Sequence, residues 1–414
     1  IALWDGRLLK KAEAELYNPA RATAFHVLCM NIEAFSTSTR ARAAAEKFLR
    51  MYRCLMAVDE GSLIKDPASA RTKHITKLGR LARMRRILTG TIGVEKPFDV
   101  YAPFRFLNPH LLGFQSFYAF KAQFGEMLPA EHGLVRHVTE RMPKHLQGRG
   151  LVPQVVAKDR DGRPRYKNLP ELQRLMNPYC FRITRAECGD VPEKVFAVRG
   201  VPLSGEQKHF YDRVVDEILI ESQHGTLTVA NQLSRLLRLQ QIVGGFMPSD
   251  EEGATGAPLK QHRIEALLSE VELLRGGVVI WARFRNELAA IAAALREAYG
   301  AGSVVEYHGG VGPEARVVAK AAFKLETHDE YPKARFFVGN QATGSYGLEL
   351  SFADDVLYYS NLFSAEKRQQ SEDRPITMTK ERHVSYIDFL SYGTVDVKIA
   401  EALRNKKDMA HALL

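Results

Sequence analysis

From Gly277 onward, short apolar runs alternate with helix-like stretches, and this pattern restricts the fold more than any other feature of the chain. Gly277–Trp281, Val304–Tyr307, Arg335–Val338, Val356–Tyr359 and Val384–Phe389 read as strands. Runs this short, bounded by turn residues, suit strands buried on both faces of a parallel sheet. Asn286 is placed to cap a helix that ends near Ala298, with Leu288, Ile291 and Leu295 on one face and Gly300 after it. Ala315–Lys324 reads as a second connecting helix. The same rhythm appears nearer the start. Phe25–Met30 is a strand candidate, Ala41–Arg53 a basic helix, Cys54–Val58 a strand, and Arg86–Thr91 another strand running into a Gly turn. Pro67 could open a helix within the basic stretch Ile64–Leu81. Strand, helix and strand in this order are βαβ units, so the fold class is α/β with two parallel-sheet lobes.

The middle of the chain is different. Residues 103–150 are rich in aromatics and helix formers, which favours a packed helical subdomain over a base-stacking platform. Lys158–Lys167 is a basic turn with Asp161-Gly162 at its tip. Glu206–Ser222 and Leu227–Val243 have helical periodicity, and Pro248–Pro258 has the composition of a flexible loop. Val395–Leu414 reads as a terminal helix, with Ile399 and Leu403 along it.

Cys54–Val58 ends at once in Asp59 and Glu60. Open α/β sheets place their chemistry at the C-terminal ends of strands. One carboxylate there can hold magnesium through water, and the next can orient or deprotonate an attacking water. A solvated surface turn is the plainer reading of the same two residues. The net charge of +10, from 58 Lys and Arg against 48 Asp and Glu, favours a polyanionic partner, most simply nucleic acid. A basic protein without such a partner has the same balance. Four cysteines without metal-ligand spacing point to a reducing compartment and no disulfide framework. No apolar stretch reaches membrane-spanning length and no signal peptide is seen, so a cytoplasmic or nucleoid-associated protein is expected, without a membrane partner. The histidines form no HExxH arrangement and the serines no GxSxG, so neither a zinc site nor a hydrolase triad is expected. The first residue is Ile, which suggests a fragment.

Seven segments then occur in order. They are Asp59-Glu60-Gly61-Ser62 with Leu63-Ile64-Lys65-Asp66; Leu88-Thr89-Gly90-Thr91 with its sequel to Phe106-Leu107; and Leu169–Lys194, ending Val191-Pro192-Glu193-Lys194. Leu203-Ser204 with Gln207 and Tyr211 follows, then Val278–Leu288, Thr343-Gly344-Ser345-Tyr346-Gly347-Leu348 and Gln370–Arg374. Their order and spacing resemble the Swi/Snf family of ATP-dependent DNA translocases in helicase superfamily two, phage and bacterial members most, over nearly the whole chain. The resemblance implies two RecA-like lobes with a helical middle insertion, the first lobe incomplete at its N-terminus. Residues 1–125 would be the remainder of the ATP-binding lobe, 126–200 a helical or linker insertion, and 201–414 the second lobe. It implies Mg-ATP hydrolysed between the lobes and double-stranded DNA held by its backbone. Asp59 would coordinate magnesium and Glu60 activate water. Thr89, Gly90 and Thr91 would couple nucleotide state to DNA. Gly344 and Gly347 would let backbone approach nucleotide or DNA phosphates, and Gln370 and Arg374 would face the nucleotide. Arg71, Lys73, Arg283 and Thr343 would contact DNA.

Three departures stand against this pattern. No GxGKT or related phosphate loop occurs, so that loop is expected upstream of residue 1. Thr377 stands where the family carries its arginine finger, and Arg382, five residues on, could replace it only through a rebuilt loop. Ser62 replaces the His of the carboxylate box. A catalytically weakened DNA-binding scaffold derived from such a motor is therefore the alternative expectation. A nuclease ranks last, because no further cluster of Asp, Glu, Lys or His accompanies the motor segments.

Overall fold

The alternation resolves into two units in a computed structural model: Ile1–Phe181 together with Lys407–Leu414, and Arg182–Lys406. The structure describes the chain except residues 5, 9, 19, 21–23, 91–95, 141–152, 161–163, 184–186, 188–191, 224–228, 248–255, 325–332, 345–347, 378–379 and 414, and the side chains of 222–223, 229–232 and 406–413.

In the first unit β1 (Ala2–Trp4) pairs in parallel with β2 (Leu28–Met30). Strand β3 (Leu55–Asp59) pairs in parallel with β4 (Met84–Leu88). Helix Thr39–Met51 precedes β3. Its Ser38 cap accepts from the Ala41 N–H, and it buries Ala41, Ala45 and Leu49. The β3–β4 crossover is helix Ala70–Gly79, which starts three residues after Pro67. Ser69 opens it because its hydroxyl accepts the Thr72 N–H at 3.2 Å, which Pro67 has no side-chain oxygen to do. Leu49, Val58, Ile64, Ile75, Leu78 and Phe106 close the core beneath these strands. A second cluster packs Phe98, Tyr101, Phe104, Phe120 and Phe124 with Leu172 and Met176. The aromatic-rich stretch is thus a packed helical body. It recruits helix Leu169–Met176 from the segment expected to be a helical or linker insertion.

In the second unit the strands are β5 (Lys194–Gly200), β6 (Phe246–Met247), β7 (Ala257–Pro258), β8 (Gly277–Trp281), β9 (Val304–Tyr307), β10 (Phe336–Gly339), β11 (Ala353–Tyr358) and β12 (Val384–Leu390). Six of them form one sheet in the order β5-β12-β11-β8-β10-β9. All its pairings are parallel. Strand β5 falls inside the expected 126–200 insertion yet is an edge of this sheet, because its backbone pairs with β12 along seven residues. Strands β6 and β7 pair antiparallel on either side of residues 248–255, the core of the expected loop, which lies outside the described residues.

Strand β8 is buried along its whole length. Val278 and Ile280 pack with Leu288, Ile291, Leu295, Val338 and Leu357 on one face. Val279 and Trp281 pack with Phe323, Phe337, Val356 and Tyr358 on the other. This is the covered-on-both-faces condition that parallel sheets require. Helix Arg285–Tyr299 follows β8. Its cap differs from the Asn286 expected: Glu287 Oε2 reaches back to the Phe284 N–H at 3.0 Å and the Arg283 N–H at 3.1 Å. The same oxygen accepts the Ser360 hydroxyl at 2.6 Å. One carboxylate therefore joins the ends of β8 and β11. Burial pushes that carboxyl from 4.5 up to about 7.

Arg263 is the second buried tie. It donates to the Tyr359 carbonyl at 2.8 Å, the Ser391 hydroxyl at 2.9 Å and Asp396 Oδ2 at 2.5 Å. Replacing Arg263 with Met should destabilise the protein by about 3–5 kcal/mol, because Asp396 is left buried and unpaired. Adding Asp396→Leu should restore most of the loss, as read by denaturant unfolding of the three variants. Equal losses in the single and double variants would refute the pairing.

Glu287 generates a pH dependence. Its folded pKa lies above the unfolded value, so the folded state holds a proton that the unfolded state has released between about pH 4.5 and 7. Stability from this group is therefore present at the acid end and lost as pH rises through that window. Glu287→Gln keeps an acceptor for the two N–H groups and Ser360, so its melting temperature should fall less than the parent's between pH 5 and pH 8. Parallel melting curves across the window would contradict this assignment.

Candidate functional site

The end of β3 carries the carboxylate pair. Asp59 is paired in register with Leu88 of β4, so Glu60 and Thr89 leave adjacent parallel strands at the same edge. Asp59 Oδ1 accepts the Glu60 N–H at 3.0 Å. Glu60 takes φ 51° and ψ 63°, a left-handed conformation that non-glycine residues seldom adopt. Strain of this kind is retained where surrounding structure fixes it. Here Gly61 supplies the fixing contact: a Cβ on it would come within 2.2 Å of Ile87 Cγ2. The tight turn is thus pressed against β4, and both carboxylates stand at the strand's C-terminal end. Gly90 follows Thr89 with open space around its Cα. Thr91 lies outside the described residues.

The second unit has its own edge. The chain goes from β8 to β9 and β10 on one side, then crosses to β11 and β12 on the other. Such a reversal opens a crevice at the C-terminal ends of the strands beside it. Arg283 follows β8 there, and Thr343 and Gly344 follow β10. Asn340 ties the two loops by donating to the Ala282 carbonyl at 3.1 Å and the Arg283 carbonyl at 2.6 Å. The Arg283 guanidinium is engaged: it donates to Gln240 Oε1 at 2.6 Å and lies over the Phe363 ring at 5.0 Å. Burial lowers its pKa. Thr343 is half-buried. Gly344 is buried, and a Cβ on it would meet Trp281 Cη2 at 2.4 Å. Its missing side chain makes room for a tryptophan, whereas the expected reason was room for a phosphate. Gly347 lies outside the described residues.

Gln370 belongs to helix Ala365–Asp373, and Arg374 caps its end. This helix leaves the C-terminal edge and runs back toward the start of β12. The Arg374 carbonyl accepts the Leu350 N–H at 3.3 Å, just before β11 begins. The structure therefore brings Arg283, Thr343 and Gly344 together and carries Arg374 toward the opposite edge. Arg382 is there too, exposed and 3.6 Å from Asp354. Arg368 is what holds this helix down. Its two NH groups fork onto the two oxygens of Asp388, its Nε meets Glu372 at 2.9 Å, and it also donates to Asn361 Oδ1 at 2.8 Å. Lys194 of β5 adds contacts to Glu372 at 3.2 Å and Asp373 at 2.8 Å. Sequence reasoning missed Arg368 and Asp388. The signal available was Asp388 itself, a carboxylate interrupting the apolar strand Val384–Leu390.

Of the remaining residues expected at DNA, Lys73 is exposed. Arg71 is turned inward, 3.5 Å from the Leu63 carbonyl and 4.0 Å from Glu33. Ser204, Gln207 and Tyr211 have structural roles. Ser204 and Gln207 exchange side-chain to backbone hydrogen bonds at 3.0 and 3.1 Å, and the Tyr211 hydroxyl accepts the Val395 N–H.

Comparison with known proteins gives a match to the SNF2-related domain over residues 7–244, more than half of the 414 residues. A Bacillus subtilis (strain 168) protein bearing the name ATP-dependent helicase/translocase YwqA is 23% identical over 363 residues, covering 86% of this chain and 35% of that protein. The chain thus spans about a third of the length of this curated relative. Among solved structures, the Sulfolobus solfataricus SWI2/SNF2 ATPase core in complex with dsDNA aligns over 97% of this chain and 79% of its own, at 21% identity and a TM-score of 0.41. The C-terminal part of the Fun30 ATPase domain aligns over 54% of this chain and all of its own, at 12% identity and the same TM-score of 0.41. With a family match across both carboxylates and the Thr89 turn, the chain belongs to the SNF2-related domain family of helicase-like ATPases.

Proposed function

We propose that this protein is a motor that hydrolyses Mg-ATP and moves along double-stranded DNA. The observation that carries the reading is the strained Asp59–Glu60 turn beside Thr89, at the common C-terminal edge of β3 and β4 in an SNF2-related domain. The donor set fits magnesium. Asp59 is a single exposed carboxylate at a strand end, and this small hard cation is usually held by one or two carboxylates with waters and substrate phosphates. Asp59 is the residue that would hold it, and its charge would offset that of the phosphates. Glu60 takes the water-activating role, because the left-handed turn directs the chain away from Asp59 and gives the two carboxylates separate orientations. Thr89 and Gly90, on the adjoining strand end, are placed to sense the occupancy of that turn. The name of the curated relative and the duplex held by the Sulfolobus core agree with such an activity.

For DNA, Lys73 is the exposed candidate in the first unit and Thr343 lies on the crevice edge of the second. Arg71 and Arg283 are assigned to holding these edges in shape, since their guanidinium groups are committed to the fold. Gln370 and Arg374 complete the second half of the motor, with Arg368 keeping their helix on the sheet.

The full-length protein should hydrolyse ATP faster with duplex DNA than without it. Glu60→Gln should retain ATP binding and lose at least about 100-fold in DNA-stimulated turnover, the lower range for removing a general base. DNA affinity should fall steeply as salt rises from about 50 to about 200 mM, through counterion release. Absence of DNA stimulation at the lower salt, or a Glu60→Gln variant that keeps its turnover and its cellular role, would leave the non-hydrolysing scaffold as the better account.

A further inference from the structure

One segment of this chain carries a large positive charge with no acidic residue of its own. Residues 67–94 contain no Asp or Glu, and they hold Arg71, Lys73, Lys77, Arg80, Arg83, Arg85 and Arg86. Seven charges in that segment compare with a net charge of +10 for the whole sequence. Three of the seven are used by the fold: Arg71 as described, Arg85 on the Phe106 carbonyl at 3.2 Å, and Arg86 on the Arg85 carbonyl at 2.9 Å. The other four, Lys73, Lys77, Arg80 and Arg83, are exposed and have no side-chain partner among the described residues.

Helical geometry makes a stripe of them. Helix Ala70–Gly79 buries Thr72, Ile75, Leu78 and Gly79, which leaves Lys73, Lys77 and Arg80 on the opposite face. From Lys73 to Arg80 the stripe is about 10 Å long, comparable to the rise of about three base pairs. The helix joins the C-terminal end of β3 to the N-terminal end of β4, so the stripe starts near the Asp59–Glu60 edge and runs down the side of the unit. Its charges are not explained by the helix. Basic residues suit a helix C-terminus, but Arg71 and Lys73 stand in the first half, where the dipole favours acids. Lys73 and Lys77 are four apart and repel each other. The helix has no acidic residue of its own to offset this cost.

We propose that the stripe Lys73, Lys77 and Arg80, continued by Arg83, holds the phosphate backbone of duplex DNA along the flank of the first unit. The contact lies beyond the catalytic edge, so DNA engaged there is gripped over a longer path than the strand ends alone provide. This rests on the reading of the chain as a DNA motor. The contacts are to phosphates and carry no base specificity.

The test is duplex DNA binding by the full-length protein across a salt series. Three proteins are compared: the parent, the combined Lys73→Gln, Lys77→Gln and Arg80→Gln variant, and a control with Lys158→Gln, Arg160→Gln and Lys167→Gln. Each phosphate contact contributes about 0.9 to the slope of log affinity against log salt. The stripe variant should lose about 2 to 3 from that slope and the control should lose none. Its melting temperature should hold or rise, because like charges have been removed. An unchanged slope overturns the proposal, as does an equal loss in the control. A lowered melting temperature accompanying the loss would assign the stripe to folding instead. Weakened binding to duplex RNA with duplex DNA unaffected would also refute it. A parent that binds DNA with a steep, stripe-dependent slope yet hydrolyses no ATP would end the motor reading and leave the stripe standing. Stimulated hydrolysis with a stripe-independent slope would do the reverse.

Discussion

Complete burial of β8 is the constraint on which the second unit depends. A strand covered on both faces has no solvent for the polar groups at its end. The backbone groups where β8 stops must therefore find protein partners. Glu287 meets that need by accepting two backbone N–H groups and the Ser360 hydroxyl through one oxygen. Asn340 meets it from the other side by donating to the Ala282 and Arg283 carbonyls. The crevice edge is thus assembled from the requirements of the core strand. Arg283, Thr343 and Gly344 are neighbours because β8 and β10 end together.

The same logic explains which parts of the molecule could be read from the chain. Strands β8 and β9 occur at the expected residues, since short, largely apolar runs between turn signals suit a parallel sheet. Helix starts were less legible. Both Asn286 and Pro67 are good local signals, yet Glu287 and Ser69 supplied the hydrogen bonds that decide a cap. Strand β5 was hidden because its residues are largely exposed and its place depends on pairing with β12, nearly two hundred residues away. The placement of Asp59, Glu60 and Thr89 at adjoining strand ends was legible through their order along βαβ units. The left-handed turn at Glu60 was not, because the push comes from Ile87 on the neighbouring strand.

Glycine and arginine have local chemistry that more than one partner can satisfy, for related reasons. Gly344 suits a close approach, and sequence alone does not say by what. The approaching group is the Trp281 indole. Arg71 and Arg283 looked like phosphate ligands in a basic chain, and both guanidinium groups serve the fold. Conversely, Arg368 makes a forked contact to Asp388 whose geometry is specific. A planar donor fork matches one carboxylate in one orientation, which a lysine ammonium does not.

That specificity bears on how the helix carrying Gln370 and Arg374 stays in place. Buried ion pairs are poor sources of net stability, because desolvation consumes much of the Coulomb attraction. An apolar contact would hold the helix as firmly but would tolerate sliding by a fraction of a turn. Arg368 sits 3.4 Å above the Tyr358 ring while bonding Asp388, Asn361 and Glu372. These partners come from β12, from the turn after β11 and from the helix itself, so no shift of the helix satisfies them all. Lys194 adds a fourth element, the edge strand β5. Register, more than adhesion, is what a buried polar network of this kind supplies.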